Sequence, residues 1–169
     1  MIITIILLTI LIISLITDVM KRKILNIVTL PTILIAFSYY TLNLGVNGFF
    51  FSGKGFLVGL GLLLIPYLLG GMGAGDVKLM AAIGALMGTS FVFYSFIYTA
   101  IIGGLIALIL VIKTNGFNNS FKSLFFNTVF LKSNLGSVIL QKDKKSSISF
   151  PYGVAIVLGT LCTLIWGGY

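Results

Sequence analysis

"IITIILLTILIISLIT", residues 2–17, contains only isoleucine, leucine, threonine and serine. A run of this kind approaches the roughly 20 apolar residues that carry a helix across a bilayer. It has neither the basic leading region nor the small-residue cleavage site of a secretory signal, so it reads as a retained span. Asp18 and then the basic cluster "KRK" at 21–23 follow it directly. Basic residues stay on the cytoplasmic side, which sets the N-terminus outside. The rest of the chain has the same character. Its 169 residues are 59% hydrophobic and 8% charged, with a mean hydropathy of +1.18. A soluble domain of this size has no interior large enough for that much apolar surface, so lipid must solvate it.

Hydropathy divides the sequence into about six candidate spans, near 2–17, 25–43, 55–70, 76–90, 91–112 and 148–167. The expectation is an all-α polytopic protein with about six transmembrane helices, forming a single membrane-embedded domain over 1–169 in the cytoplasmic (inner or plasma) membrane. Starting outside, this topology places 18–24, 71–77 and 113–147 in the cytoplasm. Lys21, Arg22, Lys23, Lys78, Lys113, Lys122, Lys132, Lys142, Lys144 and Lys145 then lie inside or at the inner boundary, and only Lys54 lies outside. The net charge of +8 is therefore read as loop orientation rather than as a nucleic-acid surface. The stretch 117–140 is mixed in polarity, with Phe117, Phe121, Leu124, Phe125 and Val129 in an approximate helical stripe, and reads as an interfacial helix or a shallow re-entrant segment rather than a full span. Asp143 belongs to a solvated loop. The single cysteine, Cys162, excludes a disulfide framework.

The chain has no histidine and no glutamate, and its only acids are Asp18, Asp76 and Asp143. Without histidine there is no Ser-His pair, no Cys-His pair and no zinc site built on His-Glu-x-x-His. Two routes to catalysis remain, a Ser-Lys dyad with Lys78 or Lys54 as base, or two aspartates activating water. Asp18 closes the first span and Asp76 opens the fourth, both on the cytoplasmic face. Carboxyls brought close together share a proton, so that one acts as base and the other as acid. The macrodipole at a helix start favours a charged Asp76, and a helix end favours a protonated Asp18. Lys21 and Arg22 oppose the second preference, so the pair is treated as one coupled titration.

"GGMGAGDVKLM", residues 70–80, concentrates glycine just ahead of Asp76. Gly73 and Gly75 allow unusual dihedrals and the close approach of a substrate backbone, which suits irregular chain lining a cavity. Lys78 reads as an interfacial, snorkelling side chain. Asn26 and Tyr152 are candidate substrate contacts, with packing the plainer reading of each.

These residues resemble the type IV prepilin and preflagellin peptidases, membrane aspartic proteases of the Gly-x-Gly-Asp type. "GAGDVKLM" at 73–80 is similar to that family's Gly-x-Gly-Asp-x-Lys block, with Asp76 at the catalytic position. "TDVMKRKILN" at 17–26 is similar to the block of the first catalytic aspartate, with Asp18, Arg22 and Asn26 in step; Leu25 stands where proline is usual. "FPYGVAIVLG" at 150–159 is similar to the opening of the final span, especially in the short forms serving tight-adherence pili. The resemblance implies metal-free removal of the basic leader from prepilin-like precursors at the cytoplasmic membrane boundary. Asp18 and Asp76 would be catalytic, Gly73, Gly75 and Lys78 would shape the site, and Arg22 and Asn26 would contact substrate. Neither a cofactor nor a nucleic-acid partner is implied; the partners are the precursor and the lipid bilayer. The paired Cys-x-x-Cys motifs that accompany N-methylation in larger members do not occur in this sequence. The competing class is a small transporter or pilus-assembly subunit using Asp18 and Asp76 as proton or cation ligands.

Overall fold

The computed structural model describes residues 2–21, 24–69, 71–114 and 152–167. The interfacial helix expected at 117–140, Asp143, Arg22 and the lysines from 122 to 145 lie outside these residues. Among the described residues four helices make up the regular structure: α1 (Ile2–Lys21), α2 (Asn26–Leu68), α3 (Ala74–Thr114) and α4 (Tyr152–Trp166). α1, α2 and the part of α3 from Ala74 to Ile109 are each long and apolar enough to cross a membrane. Isoleucine and threonine are indifferent helix formers in water, but in lipid each backbone group must find its partner within the segment. The threonines add to this economy by returning their hydroxyls to carbonyls one turn back: Thr9 to Ile5 and Thr32 to Val28 at 2.8 Å, and Thr160 to Ile156 at 2.7 Å.

α2 is not straight. Gly45 leaves the helical region (φ 59°, ψ −138°), and Phe37 meets Phe49 and Phe56 with ring centroids 5.3 and 6.2 Å away. In a continuous helix Phe37 and Phe56 would stand about 28 Å apart. The chain therefore doubles back at Gly45. The loop expected between the second and third spans is thus replaced by one glycine, and residues 46–54 are helical. A positive φ is open to glycine without the steric cost of a Cβ, so a single residue suffices.

α3 breaks in the same manner at Gly88 (φ 86°, ψ −179°), near the boundary expected at 90. The Phe51 ring lies 2.5 Å from where a Cβ on Gly88 would sit. Carbonyls that lose their helical donors at the break are taken up by α2. The Tyr40 hydroxyl donates to Leu86 O at 2.8 Å and Ser52 Oγ to Ala85 O at 3.0 Å. After the break α3 runs antiparallel to α4, with Ser95 Oγ 3.3 Å from Thr163 Oγ1. A Cβ on Gly159 would strike Thr99, and one on Gly103 would come within 3.5 Å of the Ala155 methyl.

The first arm of α3 is the centre of the bundle. Leu79, Met80, Ala82, Ile83, Ala85 and Leu86 are all buried, which accounts for the Ala/Gly-rich "AAIGALMG" reading as weakly sided. The second arm of α2 lies against it backbone to backbone. A Cβ on Gly55 would collide with the Gly84 carbonyl, one on Gly84 with the Gly55 carbonyl, and one on Gly59 with the Met80 carbonyl. Small residues permit this approach, and it gives association in lipid the close packing that the hydrophobic effect cannot supply there. Large side chains such as Ile5, Ile12, Ile16, Leu34, Leu57 and Ile65 remain exposed on the outer faces.

Contacts group the chain into two units, Met1–Gly103 with Pro151–Tyr169, and Gly104–Phe150. All the packing above belongs to the first; of the second, residues 104–114 are described, as the end of α3. We expect Gly55→Leu and Gly84→Leu each to destabilise the detergent-solubilised protein by about 2 kcal/mol or more, read as a lower thermal midpoint. Gly61→Ala, where an added Cβ meets nothing within 4 Å, should leave the midpoint unchanged or raise it.

Candidate active site

Asp76 is the third residue of α3 and Gly73 is the residue before it begins. The Gly73 N–H donates to Asp76 Oδ2 at 3.1 Å, and the Asp76 N–H donates to the Gly73 carbonyl at 3.1 Å. This is half of a capping box: an acidic side chain in the first turn reaches back to an amide that the helix leaves free. It also sets a negative charge at the positive end of the macrodipole. Asp76 is 8% exposed and Asp18, in the last turn of α1, is 4% exposed. Asp18 is therefore not an interfacial side chain in water but a buried one.

The two carboxyls lie close enough for the Asp18 charge to act on Asp76. Asp18 has a second neighbour that composition and spacing do not reveal. The amides of Gly153 and Val154, in the first turn of α4, are directed at its carboxyl, while its buried Oδ2 has no hydrogen-bond partner among the described residues. A Cβ on Gly153 would sit 2.6 Å from that Oδ2. Asp18 was placed by sequence at the negative end of α1; the fold also brings it to the positive end of α4. Each aspartate thus faces main-chain donors at a helix start, the arrangement that suits an anion without a cationic side chain.

Both glycines of the Gly-x-Gly-Asp stretch have structural work, and it differs from the expected one. The Cα of Gly75 packs on Ile24, where a Cβ would lie 2.9 Å from the Ile24 Cβ and 3.0 Å from its carbonyl oxygen. That side is therefore filled by the chain itself rather than open to a substrate backbone. Gly73 supplies the amide that holds Asp76. Lys78, expected to snorkel, instead donates from Nζ to Asn26 Oδ1 at 3.0 Å, tying the start of α2 to the start of α3. Asn26 thus already has a partner within the protein. Tyr152 is half-buried at the start of α4, and Arg22 lies outside the described residues. No group of three or more His, Cys, Asp or Glu side chains that could hold a metal occurs among the described residues.

The aspartates, their glycine-rich turn and the short link between α1 and α2 all fall within residues 5–108, which match the family model of the type IV leader peptidases. The chain belongs to this family. Comparison with curated proteins and with solved structures gives no match. As a type IV leader peptidase relative it joins membrane-embedded enzymes that act on prepilin-like proteins, and its three long apolar helices agree with that setting. Gly153 lies beyond the matched residues. Its signal in the sequence is the small residue two positions after Pro151, within the stretch similar to the opening of the family's final span. We expect Gly153→Ala to displace the Asp18 carboxyl and lower peptidase activity about tenfold or more, in a detergent assay on protein of unchanged helical content.

Proposed function

We propose that this protein is an aspartic endopeptidase that removes the basic leader from prepilin-like precursors at the cytoplasmic boundary of the membrane. Asp18 and Asp76 are its catalytic pair, and about six crossings of a single membrane domain, with the N-terminus outside, are the topology that goes with this reading. What supports it is two buried carboxyls, at opposite ends of separate helices, within electrostatic reach of one another in a chain with one other acid. Acidic residues at membrane depth are costly unless they serve a site.

In the mechanism one carboxylate takes a proton from a water as its oxygen attacks the scissile carbonyl carbon. The other carboxyl, protonated, gives its proton to the carbonyl oxygen, forming a neutral gem-diol. Collapse of the gem-diol breaks the C–N bond. The proton first taken from water passes to the leaving nitrogen, and the second carboxyl recovers its own from the diol hydroxyl. The donors at Gly73 and at Gly153 and Val154 hold the two side chains while charge moves between them. A precursor with a cytosolic basic leader and an apolar helix presents its junction at the depth where α1 ends and α3 begins.

Asp18→Asn and Asp76→Asn should each reduce cleavage of a co-expressed precursor by about 10²–10⁴-fold, with membrane expression retained; full processing by either variant removes the proposal. Purified wild-type protein should cleave equally well in the presence of a metal chelator.

A further inference from the structure

Three buried side-chain oxygens have no hydrogen-bond partner among the described residues: Ser14 Oγ, Asp18 Oδ2 and Thr99 Oγ1. Thr99 stands apart from the others, against the backbone of Gly159. The other two form a pair. Ser14 is 0% exposed, and it shares with Leu7, Leu11 and Asp18 the buried stripe of α1. Residues four apart on a helix stand on one face with Cβ atoms about 5–6 Å apart.

A buried serine usually returns its hydroxyl to the carbonyl one turn back. Thr9, Thr32, Thr160 and Thr163 do so here, and Ser14 does not. Its hydroxyl is a donor with no acceptor, one turn from an ionisable oxygen that lacks a donor. The facing turn of α4 brings the Gly153 backbone close against this carboxyl. A water accepting from Ser14 Oγ and donating to Asp18 Oδ2 satisfies both groups, and two polar partners are enough to hold a buried water.

We infer that Ser14 and Asp18 hold one buried water between them, and that Ser14 is a positioning residue which fixes the Asp18 carboxyl through it. This deepens the peptidase reading and rests on Asp18 being catalytic. The water is distinct from the one consumed in hydrolysis, because it stays bound between α1 side chains through the cycle.

The test compares Ser14→Thr with Ser14→Val, nearly isosteric changes that differ in keeping or losing the hydroxyl. In the full-length purified protein Ser14→Thr should keep kcat within about twofold, whereas Ser14→Val should lower kcat roughly ten- to hundredfold at unchanged KM. The readout independent of activity is the infrared C=O stretch of protonated Asp18 in an Asp76→Asn background. Ser14→Val should move that band to higher wavenumber, and Ser14→Thr should not. If Ser14→Val does not fold, Ser14→Ala replaces it in both measurements with the same expected direction. Equal kcat and an unmoved band in the hydroxyl-free variant overturn the inference. Should the wild-type protein cleave no precursor, the peptidase reading fails, and the infrared band still decides whether Ser14 acts on Asp18.

Discussion

Lipid offers no hydrogen bonds, so a chain at membrane depth can leave the helix only where the freed backbone groups find other partners. That constraint decides where this protein turns. At Gly88 the helix breaks with the Ala85 and Leu86 carbonyls received by Ser52 and Tyr40, side chains delivered by α2, which itself reverses at Gly45. The two breaks are linked, because the helix that turns first provides the hydroxyls that let the next one turn. Close packing of Gly55 on Gly84 keeps those donors in place. Apolar bulk on its own would give helices without specifying their order around the centre.

The same constraint governs the two carboxyls. Burying a charge is expensive unless dipoles replace the lost water, and among the described residues no cationic side chain forms an ion pair with either aspartate. Main-chain amides take that role. Gly73 holds Asp76 from within its own turn, and Gly153 and Val154 reach Asp18 from the opposite end of the chain. Gly153 is needed at its position because a Cβ there would sit 2.6 Å from the Asp18 carboxyl, whereas one on Gly73 would only reach ordinary contact with Asp76. Lys78, at the start of α3, is engaged with Asn26.

Much of this was legible in the residues. The apolar runs required helices in lipid, and scarcity of acids directed attention to Asp18 and Asp76, which the fold brings within electrostatic reach. What could not be read was the partnership between distant segments. Gly153 near Asp18, Ile24 over Gly75 and Tyr40 on Leu86 each join positions tens of residues apart, and hydropathy says nothing about which span neighbours which. Helix ends differ for a related reason. Span length alone implies a loop at 44–54, whereas one glycine with positive φ accomplishes the reversal and the following residues, including Lys54, stay helical. Gly75, beside an acid, suggests access by sequence; in the fold its Cα packs on Ile24, in the link ahead of α2.

Seating Asp18 against the first turn of α4 ties the earliest transmembrane segment made on the ribosome to one of the last. The Asp18 carboxyl therefore meets its main-chain donors only after residues 153 and 154 have been made, so its surroundings are completed late in synthesis rather than with α1 itself.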